Sequence, residues 1–200
     1  MHWKTIAEAT LTLALVVPGF STAEPVRTPV AVRVFDASGM SDADLDAALA
    51  ETEAVLGGSG LDVSWTRCTR PDTSPAPCDH PVVDGELIVR LITAPMMRSG
   101  TVTMGYALVD PSVRHSLIAS VYWNRVRSIA GEARIDPRPL LGRAIAHEIG
   151  HLLLNTNSHT PAGLMRATWS QAELRLNLPG DWCFGEREAK AMIASLAFGR

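Results

Sequence analysis

The chain is 200 residues long, carries 18 Lys and Arg against 21 Asp and Glu, and has a formal net charge of −3. A chain of this length can bury a sizeable core as one domain. So mild a charge balance gives no argument for a nucleic-acid partner or an anionic membrane surface.

Residues 1–23 read as a secretory signal. Lys4 gives a positive start, residues 9–17 are apolar apart from threonines, Pro18 and Gly19 break the run, and Ser21-Thr22-Ala23 suits signal peptidase. Glu8 keeps an N-terminal helix of the mature fold open as the alternative. The apolar run is too short for a permanent membrane anchor, and no other stretch could span a bilayer. The expectation is a secreted or periplasmic monomer in which residues 24–200 form a single domain.

The upstream half has an α/β rhythm. Residues 30–35 alternate with β-branched side chains and predict a strand. Ser41 is placed to cap a helix over 42–56 with acids in its first turn, and Gly57-Gly58-Ser59-Gly60 stops it. Further strands are predicted at 61–65, 86–92, 105–109 and 117–123. Cys68 and Cys78 flank a Pro-, Asp- and Ser-containing loop that a disulfide could staple, worth about 2.5–3 kcal/mol by loop entropy. The 3 cysteines allow other pairings, and Cys183 is then either a buried thiol or part of a different bridge. No two cysteines have zinc-ligand spacing.

The next segment is the most informative. Asp136 can cap a helix with Pro137 at its first position, where a missing N–H costs nothing. That helix contains His147-Glu148-x-x-His151. Two histidines four apart share one helix face and can close on one zinc ion, while Glu148 on the flank can take a proton from water without filling a ligand position. Ile145, Ile149 and Leu152 form an apolar stripe turned away from the His pair, as in an amphipathic helix. Surface histidines on such a helix are the bland alternative. A catalytic zinc takes three protein ligands and a water. His159, past the turn-prone run Asn155-Thr156-Asn157-Ser158, is the third candidate. Asn157 is a lesser option, since a neutral amide is a poor zinc ligand. His2, His80 and His115 have no ligand-like spacing. Downstream, Thr168 or Ser170 caps a helix over 171–176, Pro179-Gly180 breaks it, and 186–197 forms a last helix with Met192, Ile193 and Leu196 inward. Glu173, Glu186 and Glu188 could in principle supply a carboxylate third ligand, but His159 is nearer. Trp169 and Trp182 read as packing residues, with a substrate-pocket role as the alternative.

The run His147-Glu148-x-x-His151, a polar turn, His159 and then Gly163-Leu164-Met165 resembles the site of metzincin zinc metalloproteases, from about 136 to 169. One departure stands out. That family carries Gly and a third His where this chain has Leu154 and Asn157, so Asn155 becomes the turn residue and His159 comes two residues late, as in a longer loop. The resemblance implies an α/β (α+β) fold: a twisted mixed sheet of about five strands, an active-site helix and a small, mostly helical C-terminal part. It implies that Met165 is a Met-turn residue flooring the site, against the alternative of an ordinary core Met. Ala167 stands where some members carry an extra Tyr ligand. It also implies that Gly105, Tyr106, Ala107 and Leu108 form an antiparallel edge strand that holds an extended peptide, against the alternative of an edge without a ligand.

Together these readings predict a secreted zinc-dependent endopeptidase acting on peptide or protein substrates. One catalytic Zn2+ would be held by His147, His151 and His159, with Glu148 as general base. The alternative is a secreted, zinc-stabilised, non-catalytic binding domain on the same scaffold.

Overall fold

The computed structural model describes residues 27–68, 76–95, 103–113 and 116–197. The expected signal over 1–23, residues 69–75 of the stapled loop and His115 lie outside the described residues.

The first unit is strand, helix, strand: β1 (Thr28–Asp36), α1 (Asp42–Gly57) and β2 (Leu61–Cys68). Ser41 caps α1 by accepting from the Asp44 N–H, and Gly60 takes a left-handed φ of 82° to turn the chain into β2. β2 runs on to Cys68, which forms a disulfide with Cys78. Cys183 is free and exposed rather than a buried thiol. Then come β3 (Leu87–Ile92), β4 (Gly105–Leu108) and β5 (Ile118–Tyr122). The five strands form one mixed sheet in the order β2-β1-β3-β5-β4, with β4 the antiparallel strand at one edge and all other pairings parallel. The α/β class, the five strands and the edge placement are therefore as expected from the sequence.

One helix was not expected. α2 (Trp123–Ala133) follows β5 without a break, so Trp123 begins a helix instead of ending a strand. Its buried residues are Trp123, Val126, Ala130 and Ala133, a helical spacing that is visible in the sequence. The aromatic pair Tyr122-Trp123 carries a strand-like signal into the first turn and masks it. Arg134 ends α2 in the left-handed region at φ 56°.

The core lies between one sheet face and the helices. Val30, Val32 and Val34 of β1, Leu87, Val89 and Leu91 of β3, and Ala119 and Val121 of β5 are all buried on it. The second long helix, α3 (Pro137–Leu154), is capped by Asp136 with Pro137 at its start, as predicted. It is not amphipathic, however: residues 140–153 are all buried. It is packed against α1, α2, the strands β3, β4 and β5, and the last helix, α5 (Glu186–Ala197). A helix enclosed on every side needs no polar face, and the stripe of Ile145, Ile149 and Leu152 is one apolar side among several. Between α3 and α5 lies the short α4 (Gln171–Leu176), closed by a capping box in which Ser170 and Glu173 bond each other's backbone N–H. A 3₁₀ turn, Pro179–Trp182, follows it.

The α1–α3 crossing depends on Gly142. A methyl there would lie 2.5 Å from the Ala48 carbonyl oxygen, and Thr52 Oγ1 donates across the same contact to the Gly142 carbonyl at 3.0 Å. Gly131, in α2, has nothing within 4 Å of the equivalent position. Gly142→Ala should therefore destabilise the protein by about 1–3 kcal/mol through overpacking, whereas Gly131→Ala should stabilise it by about 0.5–1 kcal/mol through helix propensity. Urea midpoints of the two variants test this opposition of sign.

Candidate metal centre

His147 and His151 project from the last two turns of α3, and each ring is held by a carbonyl. His147 Nδ1 donates to the Leu164 carbonyl at 2.8 Å, and His151 Nδ1 donates to the Thr156 carbonyl at 2.7 Å. A carbonyl only accepts, so both rings carry their proton on Nδ1 and present a bare Nε2. The two Nε2 atoms face each other at 3.0 Å. In neutral rings that distance sets two lone pairs against each other, and only a shared proton or a cation between them relieves the repulsion. Burial acts against the proton: it pushes His147 down to about 4 and lowers His151 as well.

The turn after α3 brings the third imidazole in. Asn155 adopts φ 48°, and its own N–H and that of Thr156 bond back to Leu152 and His151, which satisfies the helix's last carbonyls. The chain then doubles back so that ligand atoms of His147, His151 and His159 all lie within 4.8 Å of one another. Among the described residues these three form the one such group of His, Cys, Asp or Glu. His159 is exposed, whereas the other two are buried. Asn157 lines the same cleft. The acidic alternatives are engaged elsewhere: Glu173 in its capping box, Glu186 with Lys190, and Glu188 with the Gly185 N–H. Three convergent imidazoles suit a borderline divalent ion such as zinc, so the donor set fits the metal expected from the sequence.

Below the rings is a tight turn. Gly163 has φ 75°, and a methyl on it would meet the Cys183 carbonyl oxygen at 2.7 Å. The Leu164 N–H bonds that same carbonyl at 2.8 Å while its own carbonyl holds His147. Met165 is buried, and its Sδ lies 2.8 Å from where a Cβ on Gly150 would stand, with the Phe184 ring at 2.6 Å. Met165 and Phe184 thus pack directly under the helix between the two histidines.

Glu148 lies beside the rings, buried, with Oε2 lacking any hydrogen-bond partner. Burial alone pushes its carboxyl up to about 8. β4 runs over it: a methyl on Gly105 would lie 2.8 Å from both Glu148 Oε1 and the Ser120 carbonyl oxygen, and the backbone oxygen cannot yield, so this strand position must be glycine. Tyr122 N–H donates to the Met104 carbonyl at 2.7 Å. By antiparallel alternation, the backbone groups of Gly105 and Ala107 then point away from β5. Both residues line the cleft, a cavity of about 340 Å³ that also reaches Ile129, Ala144 and Trp169. Tyr106 also borders the cavity, whereas Leu108 does not; they are 38% and 57% exposed. Trp169 stands edge-on to His147, with centroids 5.7 Å apart, and against Trp182. It is a cleft wall as well as a packing residue, whereas Trp182 is buried under the Arg143 guanidinium. His80 lies far along the chain on the exposed surface and joins no group of potential ligands.

No protein-family model and no curated protein matches the sequence. Solved structures do match. Metalloproteinase-II from Bacteroides fragilis is 14% identical, with a TM-score of 0.53 over 87% of this chain and 55% of that one, so this chain spans about half its length. The archaemetzincin from Methanopyrus kandleri is 17% identical, with a TM-score of 0.46 over 88% of this chain and 99% of that one. The first of these likenesses shows a shared fold.

The burial of Glu148 has a thermodynamic signature in metal-free protein. Its folded pKa lies above the unfolded value of 4.5, so the native state binds the extra proton between 4.5 and about 8. Native stability therefore falls as pH rises through that window. In chelator-treated samples, Glu148→Gln should flatten this decline and be more stable than the parent at pH 9, with the difference vanishing below pH 4.5. Urea titrations across pH read both.

Proposed function

We propose that this protein is a zinc-dependent endopeptidase of metzincin type, exported to the cell exterior or the periplasm. In this reading residues 24–200 act as one catalytic domain. His147, His151 and His159 hold the ion, Glu148 is the general base and Met165 floors the site. One observation carries the reading: two buried imidazoles, each locked by a carbonyl at Nδ1, turn their bare Nε2 atoms on each other at 3.0 Å, with a third ring beside them. The fold shared with a metalloproteinase supports it. The Cys68–Cys78 disulfide is compatible with an oxidising compartment, and no described helix is long and apolar enough to cross a membrane.

When bound, a divalent ion supplies Lewis acidity, polarising a carbonyl, lowering the pKa of water and favouring the ionised form of a nearby carboxylate. The chain supplies the rest. The open edge of β4 takes an extended peptide through the backbone of Gly105 and Ala107, which sets the scissile bond alongside Glu148. The unpartnered Oε2 of Glu148 accepts the proton of the attacking water and returns it to the departing amine. Trp169, Met104 and Ile129 exclude solvent from the apolar end of the cleft. A purely structural zinc site would be closed by a fourth protein ligand and would have no use for a free carboxylate oxygen beside it, which weighs against the non-catalytic binding domain.

A peptide library incubated with the zinc-loaded protein should be cleaved. Chelation should stop cleavage and added zinc should restore it. Glu148→Gln should keep zinc and fold yet lose roughly 10²–10⁴-fold in kcat/KM; parental rates in that variant would remove Glu148 from the mechanism. His159→Ala should lose zinc on dialysis against a weak chelator, while His80→Ala, a change on the exposed surface, should retain it. Equal zinc content in the two would show that His159 is not a ligand.

A further inference from the structure

We infer that Asn155 is a positioning residue that ties the far end of the substrate-holding edge strand to the metal-bearing turn. This rests on the peptidase reading above and adds to it the means by which the cleft rim is held.

Asn155 does two separate things. Its backbone takes the left-handed conformation that turns the chain out of α3 toward Thr156, whose carbonyl holds His151. Its side chain reaches in the opposite direction, to the segment that follows β4. Asn155 Oδ1 accepts from Ser116 Oγ at 2.8 Å, and Asn155 Nδ2 donates to the Val113 carbonyl at 3.2 Å. Ser116 is buried, and its Oγ in turn accepts the Asp110 N–H at 2.9 Å. The amide thus binds both described ends of the β4–β5 connection, two and eight residues beyond the strand's last residue for Asp110 and Ser116.

Left-handed backbone alone does not require asparagine here. Glycine meets that need at no steric cost, and Arg134 ends α2 in the same conformation. What the amide adds is one acceptor and one donor in the geometry that the connection needs. An edge strand paired on one side is poorly restrained at its free end. A peptide laid along β4 has to meet Gly105 and Ala107 in a fixed register, so a loose strand end would raise the entropy cost of binding without touching the reacting atoms. The residue that aims the third histidine's arm therefore also stiffens the strand that presents substrate to it.

The test uses three variants of the full-length zinc-loaded protein: Ser116→Ala, Asn155→Gly and the double variant. Asn155→Gly keeps the left-handed turn and removes only the side chain. Each single variant should raise KM for a peptide substrate roughly three- to tenfold, the effect of one or two lost hydrogen bonds, with kcat within twofold and zinc content unchanged. The double variant should fall short of the product of the two single effects, because the two substitutions share the Ser116–Asn155 bond. Asn155→Asp, which retains the acceptor for Ser116, should recover most of the Ser116-dependent effect. Amide hydrogen exchange over residues 110–113 should rise in step in both single variants, a readout independent of catalysis. If the parent cleaves nothing yet exchange rises as described, the link stands and the peptidase reading falls. Unchanged exchange in Ser116→Ala, additive effects in the double variant, or zinc loss with unchanged KM in Asn155→Gly would overturn the inference.

Discussion

The arrangement that organises this protein is the opposition of two bare imidazole nitrogens inside it. Each Nε2 is turned inward because its ring is pinned at the other nitrogen by a backbone carbonyl, from Leu164 on one side and Thr156 on the other. Those carbonyls belong to the segment that follows α3 and to the turn that packs beneath it. The segment after the helix must fold back at once, which the left-handed Asn155 achieves, and the segment carrying Leu164 must pass beneath, which Gly163 permits. Neutral rings at this distance repel, and burial makes protonation unfavourable, so the site is built for a cation.

The same crowding sets the state of Glu148. Enclosing α3 on all sides places a carboxyl among apolar neighbours, with one oxygen unpaired and the other against the backbone of β4. A helix on the protein's surface would leave such a group solvated and ordinary. Here desolvation raises its affinity for a proton. The glycine at the start of β4 is part of this arrangement, since a methyl there would press on both the Glu148 carboxyl and the Ser120 carbonyl.

Close packing is the cost of burying a functional helix, and glycines absorb it. Gly142 lets α1 approach α3, and Gly150 lets Met165 and Phe184 close beneath the histidines. Both lie inside a helix, where glycine is intrinsically unfavourable. Their presence reflects the approach of neighbouring elements, not local conformational preference.

What the sequence determined by itself was whatever depends on near neighbours. Caps at Ser41, Asp136 and Ser170, glycine stops and β-branched runs are read within a few residues, and among the described residues they located every strand and four of the five α-helices. The four-residue spacing of His147 and His151 placed them on one face by helix geometry alone. α2 escaped because its spacing of apolar residues was overlaid by a strand-like aromatic start. The tertiary structure decided the rest: that α3 is buried all round, that the ring of His159 comes to the other two, that Trp169 walls the cleft, and that Gly105 lies against Glu148. The ring-holding partners are backbone carbonyls, which every residue possesses and no residue type announces. Contacts of that kind arise from where distant segments are brought by the packing of the sheet and helices, so no local pattern in the chain encodes them.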